Sequence, residues 1–246
     1  MKLSIFVFLT AAYFANSEEF LPSYITPCDL KKSDFKKCVR DQLEKSLPLF
    51  AKGIPELGVP SIDPVDLNDI HIDGNGLKLT FTNAKMHGLS KVSLKDLIID
   101  IGEKEEKFTL SLKGNLSMTS TYNADGKILI LPIKGDGDAF IECRNVEVEI
   151  NSKLLHINDS KGEHFKLATP HYKYDIESTT FDLKNLFNGN KQLAETTLQF
   201  ANENWRQLMD DLAPPVIKQI AKTIVKDINK FFSKVQITTI IKGYNL

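Results

Sequence analysis

The spacing of hydrophobic side chains changes along this chain, and the change limits the folds open to it. From Ser61 to about Phe181 they recur at every second residue, as Leu77 and Leu79 do, which is typical of strands with one buried face. From Asn190 to Phe232 they recur every three or four residues, which predicts helices. Strands followed by helices, with no linker rich in Gly or Ser, favour a single α+β domain.

The strand region carries turn and bulge signals. Hairpin turns are predicted at Asp73–Gly76, Asn123–Gly126 and Asn158–Gly162. The charged segment Gly102–Lys107 is predicted to be no more than an exposed hairpin tip. The apolar alternation slips by one residue at Arg144–Asn145, which predicts a β-bulge there. Long strands joined by hairpins and bent at a bulge predict a strongly curved antiparallel sheet.

The last third of the chain supplies a cover for the apolar face of that sheet. Asn190–Leu212 predicts one long helix, which Pro214–Pro215 interrupts. A second helix with an unusually wide apolar face then runs from Pro215 to Phe232, and Val235–Ile241 predicts a final short strand. We therefore predict a long helix wrapped by the curved sheet.

The N-terminus has the features of a secretory signal peptide. Lys2 precedes the apolar run Leu3–Phe14, and small residues occupy the positions before a cleavage site after Ser17. The run is too short to span a membrane, which needs roughly 20 apolar residues. We expect residues 1–17 to be removed and residues 18–246 to form one secreted, extracellular domain without stable membrane insertion.

Secretion determines how the three cysteines are interpreted. Cys28 and Cys38 are predicted to pair in an oxidising compartment, and Cys143 is predicted to be a buried thiol on a strand. The disulfide would pin an N-terminal arm to a first helix, which is predicted to start at Ser33 as N-cap and to bend or end near Pro48.

Two sequons would be accessible to glycosylation on this route. They are Asn115-Leu116-Ser117 and Asn158-Asp159-Ser160. Asn158 lies in a predicted polar loop and is the better candidate, although both residues are predicted sites.

No motif in the sequence points to catalysis, a metal or a cofactor. Gly-x-Ser-x-Gly and His-Glu-x-x-His are absent, and the five histidines show no metal-ligand spacing. Gly135–Asp138 lacks the rest of a phosphate or calcium loop and is interpreted as a turn or a glycine kink. The balance of 31 Lys and Arg against 32 Asp and Glu excludes a strongly basic nucleic-acid binder.

A sheet curled around a helix can enclose either of two interiors, and the periodicity of the sequence does not distinguish between them. The two elements either pack into a filled core or leave an apolar tube between them, which would suit a long apolar ligand.

Segments at both ends of the chain resemble the takeout family, relatives of the insect haemolymph juvenile hormone-binding proteins. The N-terminal segments are Leu21–Cys28, Cys38 and Leu49–Pro64. The C-terminal segments are Phe200–Arg206, Leu212–Pro215 and Ile228–Val235, and Lys134–Gly137 matches more loosely between them.

The resemblance implies a long helix wrapped by a curved antiparallel sheet, the super-roll of tubular lipid-binding proteins, enclosing a hydrophobic tunnel. It also implies a non-enzymatic carrier of a terpenoid, juvenile-hormone-like, fatty-acid-like or isoprenoid ligand, acting in insect feeding, circadian, chemosensory or developmental physiology. The high-affinity hormone carriers have a second disulfide. Cys143 has no partner, so the chain is similar to takeout-type members.

The tunnel lining is predicted from strand parity and helix stripes. The predicted residues are Leu43, Phe50, Phe81, Leu110, Leu112, Met118, Ile130, Ile141, Phe165, Tyr172, Tyr174, Leu198, Trp205 and Met209. Tyr172, Tyr174 and Trp205 are candidate hydrogen-bonding anchors for a ligand head. The arm tied by Cys28 and Cys38 is a candidate gate at one tunnel mouth.

We expect a monomer whose partner is a small hydrophobic ligand. Whether the protein also binds a receptor is left open. One alternative is a membrane-docking lipid-transfer protein that uses the wide apolar face of Val216–Phe232. The other is a secreted hydrolase, which would need a nucleophile with its base.

Overall fold

The computed structural model describes residues 20–102 and 104–244. The predicted signal peptide, residues 1–17, lies outside the described residues. The strands are β1 (Cys28–Asp29), β2 (Val65–Asp66), β3 (Ile70–Gly74), β4 (Leu77–His87), β5 (Ser93–Asp100), β6 (Lys107–Ile128), β7 (Leu131–Asp159), β8 (Gly162–Leu167), β9 (His171–Asp175), β10 (Ser178–Leu183) and β11 (Ile241–Lys242). The helices are α1 (Phe35–Phe50), α2 (Lys191–Glu203), α3 (Trp205–Phe232) and α4 (Ile237–Ile240).

Strands β2 to β10 form one antiparallel sheet built around β6 and β7. These two strands have 22 and 29 residues, so each has room for several partners along its length. β6 pairs with β4 and β5 besides β7, and β7 pairs with β8, β9 and β10 in succession. The sheet curls into a half-barrel, and α3 lies in its hollow, where it contacts β3, β8 and β10. The predicted α+β architecture is confirmed.

The predicted bulge sits in the middle of the β6–β7 pair. Gly114 faces Val146 and Leu116 faces Cys143, so Asn115 alone opposes Arg144–Asn145. Two residues against one define a bulge, which bends the strand and increases its twist. The prediction at Arg144–Asn145 is confirmed.

One predicted turn is wrong, although those at Asp73–Gly76 and Asn158–Gly162 do join strands. Asn123–Gly126 lies inside β6, and the chain reverses at Leu129–Ile130 instead. Gly126 marks a close approach between strands, since a Cβ on it would lie 2.1 Å from the Gly76 carbonyl oxygen.

Gly135–Asp138 is continuous strand within β7, so the turn is wrong and the alternative of glycines within a strand agrees with the structure. A Cβ on Gly135 would lie 2.9 Å from the Leu186 Cα atom and 2.9 Å from the Tyr122 hydroxyl. The glycine therefore makes room for the segment that follows β10.

The helix break falls ten residues before the predicted position. Asn204 leaves helical geometry at φ −106° and ψ 23°, and its side-chain amide donates to the Phe200 carbonyl at 2.8 Å. α3 then continues through Pro214–Pro215. A proline inside a helix costs about 3 kcal/mol. The preceding residues Leu212 and Ala213 are buried, and this packing keeps the helix intact across the prolines.

The N-terminal segment matches its prediction in outline. α1 begins at Phe35 with Asp34 as N-cap, one residue later than predicted from Ser33, and it continues past Pro48. Cys28 and Cys38 form the predicted disulfide, with their Cα atoms 5.9 Å apart. The bridge fixes β1 to the first turns of α1.

The C-terminal segment differs from the predicted strand Val235–Ile241. It contains the short helix α4, and only Ile241–Lys242 is extended, pairing in parallel with Cys28–Asp29. Val235 and Ile237 are fully buried. Burial on all sides suits a compact turn better than a strand with alternating faces, so the strand prediction was wrong before Ile241.

The charged segment Gly102–Lys107 is more than an exposed tip. Glu106 is only 5% exposed, and its carboxylate accepts hydrogen bonds from the Gly102 amide at 2.6 Å and the Tyr244 hydroxyl at 2.9 Å. A buried carboxylate needs such donors to offset its lost hydration. The interpretation from charge alone was wrong at this residue.

Candidate functional site

An apolar cavity of about 190 Å³ lies between α3 and the concave face of the sheet. One wall is a stripe along α3 at intervals of three and four residues. This stripe consists of Met209, Leu212, Ala213, Val216, Ile217, Ile220, Ala221, Ile224, Val225 and Ile228. The wide apolar face of this helix is thus explained by a cavity on one side and sheet contacts on the others.

Alternate residues of the two longest strands form the opposite wall. These residues are Leu110, Leu112, Leu116 and Met118 from β6, and Ile141, Cys143, Val146, Val148 and Ile150 from β7. Cys143 and Val146 are three residues apart and would face opposite sides of a regular strand. Because the bulge lies between them, both face the cavity.

Few polar groups reach the cavity, and two of them, Lys113 and Ser152, are already bonded. The Lys113 ammonium contacts the Glu147 carboxylate at 3.1 Å, and the Ser152 hydroxyl donates to the Ala168 carbonyl at 3.1 Å. The Tyr172 side chain lines the cavity, and its hydroxyl makes no hydrogen bond within the described part of the chain. The hydroxyls of Tyr172 and Ser117, which also lines the cavity, are therefore available to bond a polar ligand atom.

The Cys143 thiol also faces the cavity. It lies 3.6 Å from the Thr179 hydroxyl oxygen. Burial raises the pKa of this thiol, although the contact with Thr179 acts in the opposite direction. A raised pKa keeps the group as a neutral thiol, which suits an apolar wall.

Half of the predicted lining residues line this cavity. They are Phe81, Leu110, Leu112, Met118, Ile141, Tyr172 and Met209. All seven come from the inner sheet face or from α3. Parity on the strands and the helical stripe were the signals that identified them.

The other seven predicted lining residues lie elsewhere in the described structure. Leu43 and Phe50 belong to α1, and Phe50 packs edge-to-face on Phe231. Ile130 is 77% exposed at the β6–β7 hairpin. Phe165 packs against Phe232 and Tyr244. The remaining three are Tyr174, Leu198 and Trp205. Burial and the nearby charge of Asp210 raise the pKa of Tyr174. Leu198 and Trp205 pack against the main core.

Sequence reasoning did not name most of the α3 stripe or the β7 residues beyond the bulge. Ile220, Ile224 and Val148 all face the cavity. The signal for the helix residues was present in the wide apolar face of the predicted second helix. Its excess width is accounted for by the residues that line the cavity.

α1 is fastened along the edge strand β5 rather than over the cavity wall. The Arg40 guanidinium contacts the Asp96 carboxylate at 3.1 Å and donates to the Lys95 carbonyl at 3.1 Å. Lys36 contacts Asp100 at 3.3 Å. These bonds protect a sheet edge that would otherwise be open to other strands.

The two sequon asparagines are both exposed. Asn115 is the single residue opposite the bulge, and its side-chain oxygen accepts a hydrogen bond from the Asn145 amide. Asn158 lies near the end of β7, beside the turn to β8. Both therefore stay predicted glycosylation sites.

Two properties of the described residues concern membranes and metal ions. None of the described helices combines the length and the hydrophobicity that crossing a bilayer requires. Residues 20–102 and 104–244 hold no cluster of three His, Cys, Asp or Glu side chains arranged to hold a metal ion.

Comparisons with known proteins place these features in context. Residues 3–242 match the family model described as haemolymph juvenile hormone binding protein. The circadian clock-controlled protein daywake of Drosophila yakuba and that of Drosophila melanogaster are each 32% identical over 220 residues, covering 84% of this chain and 83% of theirs. The crystal structure of Epiphyas postvittana Takeout 1 superimposes with a TM-score of 0.81 at 31% identity, covering 89% of this chain and all of that one.

Proposed function

Because the chain belongs to the haemolymph juvenile hormone binding protein family, we propose that it is a secreted carrier of a small lipophilic ligand, held in the cavity beneath α3. The ligand belongs to the terpenoid, juvenile-hormone-like, fatty-acid-like or isoprenoid classes. The protein acts by binding and releasing its ligand and catalyses no reaction on it.

The observation that most supports this function is the composition of the cavity wall. Its helical side consists of aliphatic side chains and Met209, and its sheet side adds Phe81, Phe108 and further aliphatic groups. An apolar cavity with few polar groups in its wall selects ligands that are apolar along their length and carry few polar atoms. Tyr172 is our proposed anchor for such an atom.

The shape of the wall favours an elongated ligand. The α3 residues that face the cavity extend from Met209 to Ile228, which at 1.5 Å per residue corresponds to about 28 Å. We propose that the cavity belongs to a tunnel along this helix. Burying on the order of 400 Å² of apolar ligand surface would contribute roughly 10 kcal/mol before the costs of association, which is compatible with about micromolar to nanomolar affinity.

The physiological setting is proposed from the relatives. The two daywake proteins are named as circadian clock-controlled. Circadian or feeding-related, chemosensory and developmental roles are the settings that we propose for this chain. Secretion is proposed from the apolar N-terminal segment Leu3–Phe14.

Native mass spectrometry of protein secreted by insect cells and purified without detergent tests the function directly. We expect a stoichiometric lipophile, identified after organic extraction. Ala221→Phe narrows the cavity and should lower its occupancy, whereas Lys222→Phe places the same side chain on the exposed neighbour and should not. An empty protein that also fails to bind N-phenylnaphthylamine, a fluorescent lipophile, would refute the carrier function.

A further inference from the structure

A second packed cluster closes one end of the cavity. It contains Cys28, Phe35, Phe165, Ile237, Ile241 and Tyr244, which we call the end plug. Leu167, Val225 and Ile228 belong to the cavity wall and also pack against these residues. Displacing the end plug would therefore open the cavity at this end.

The C-terminal part of the end plug is fastened by a buried polar cluster. The Tyr244 hydroxyl donates to the Glu106 carboxylate at 2.9 Å, and His156 Nε2 lies 3.0 Å from the other oxygen of that carboxylate. His156 Nδ1 lies 2.7 Å from the Glu163 carboxylate. The Glu106 side chain is 3% exposed, and that of His156 is 25% exposed.

The Tyr244 hydroxyl also lies 3.2 Å from His156 Nε2. The ring donates to both carboxylates only when the histidine is protonated. A neutral imidazole has one N–H and donates to one carboxylate, whereas an imidazolium donates to both. When the ring is neutral, either Glu106 or Glu163 faces an unprotonated nitrogen. For Glu106 this would leave a buried carboxylate without a cation, which is costly.

No other charged group in the described residues takes over this role. Besides Glu106, Glu163 and the Tyr244 hydroxyl, the ring of His156 packs on the uncharged rings of Phe165 and Tyr244. The neighbouring side chains are engaged elsewhere: Lys153 pairs with Glu105 at 3.1 Å, and His164 Nδ1 lies 2.9 Å from the Phe232 carbonyl oxygen. The imidazolium is thus the cation that serves the buried Glu106 carboxylate and the partly exposed Glu163 carboxylate.

We propose that His156 is a pH-sensitive latch, which in its imidazolium form fastens Tyr244 and the end plug through Glu106 and releases them when the ring loses a proton. The proposal rests on the carrier function, because the consequence is faster exchange of cavity ligand at higher pH. It adds a regulatory element outside the cavity wall.

The direction of the pH dependence follows from the environment of the ring. Burial lowers the pKa of His156, but the hydrogen bonds to Glu163 and Glu106 outweigh it, so the pKa is raised in the folded protein. The fastening is therefore complete below the ordinary histidine pKa of about 6.5. It is lost as the pH rises through the higher folded-state pKa.

The release rate of N-phenylnaphthylamine, measured by stopped flow with excess unlabelled competitor, tests the latch on the full secreted chain. We expect release to be at least about tenfold faster at about pH 8.5 than at about pH 6, the effect of losing roughly one charged hydrogen bond. His156→Gln should release quickly at both pH values. His171→Gln, which replaces an exposed histidine on β9, should behave as the unchanged chain does.

Hydrogen exchange separates failure of the latch from failure of the carrier function. After correction for intrinsic rates, the amides of Ile237–Tyr244 should exchange faster at the higher pH in the unchanged chain and equally fast at both in His156→Gln. This readout needs no ligand, so it decides on the latch even if the probe does not bind. If His156→Gln does not fold, Tyr244→Phe replaces it, with fast release and fast exchange expected at both pH values. The proposal would be overturned if the release and exchange rates of the unchanged chain did not depend on pH in this way. It would also be overturned if the variant showed the same pH dependence as the unchanged chain.

Discussion

The backbone amide of Asn145 donates a 2.8 Å hydrogen bond to the side-chain oxygen of Asn115 across the β6–β7 bulge. Asn145 has a positive φ of 47°, a conformation that few residues adopt without local support. The bond supplies that support, and the bulge in turn brings Val146 and Val148 onto the cavity side. An asparagine side chain on the outer surface thus helps to set the register of the inner wall.

Asn115→Ala should destabilise the fold by about 1 kcal/mol, because it removes this bond and leaves the Asn145 amide without its partner. Urea unfolding of the secreted protein measures the loss. Ser117→Ala is the matched control, since it removes the sequon but keeps the Asn115 amide. Equal stabilities for the two variants would show that any effect comes from a lost glycan rather than from the bond.

Tyr172→Phe should weaken binding of a long-chain alcohol such as farnesol about fivefold, because one hydrogen bond to the ligand head is lost. Binding of a hydrocarbon of similar length should not change. Isothermal titration or competition with a fluorescent lipophile gives both affinities. Tyr174→Phe is the control on the same strand. A loss that is the same for the alcohol and the hydrocarbon would argue against an anchoring role for Tyr172.

Cys143 should react slowly with a small maleimide, because burial raises the pKa of its thiol and lowers the thiolate fraction at any given pH. Its rate should increase as the pH rises and should fall at least severalfold when the cavity is occupied, since the thiol faces the cavity. Intact-mass measurement follows the adduct, and Cys143→Ser gives the background. If added ligand does not change the labelling rate of Cys143, the ligand binds away from β7.

Replacing both Cys28 and Cys38 by serine should lower the free energy of unfolding by roughly 3 kcal/mol, as expected for a short closed loop. It should also raise the association rate of a lipophilic probe if the arm acts as a gate. Chemical denaturation and stopped-flow binding test the two effects separately. Unchanged association kinetics in a folded variant would remove the gate hypothesis and leave the disulfide a purely stabilising role.

The sequence predicted the parts of this fold that depend on local pattern. Alternation over β4, β6 and β7 and the slip at Arg144–Asn145 were readable because each side chain on a half-buried strand must face the core or the solvent. The helix break was misplaced because propensity favours a stop at Pro214–Pro215, whereas tertiary packing holds α3 together there. Local pattern carries no information on that packing.

The cavity was predictable only in part, for a related reason. Strand parity places both Phe81 and Phe165 on the inner face of the sheet. It does not predict where the space between α3 and the sheet stays open as a cavity and where side chains fill it. Phe165 lies where the gap is filled by the end plug. Glu106 was missed because its burial depends on Tyr244, which lies 138 residues away in sequence.

The parallel pairing of Cys28 with Ile241 joins the two ends of the described chain at one pole of the molecule. A short linker between these ends would therefore create a circular chain with little change in the fold. New termini would then be tolerated best at the exposed Leu129–Ile130 hairpin, which belongs to the nine-stranded sheet and not to the β1–β11 pair. Fusion partners attached there would leave the end plug, and with it ligand exchange, unperturbed.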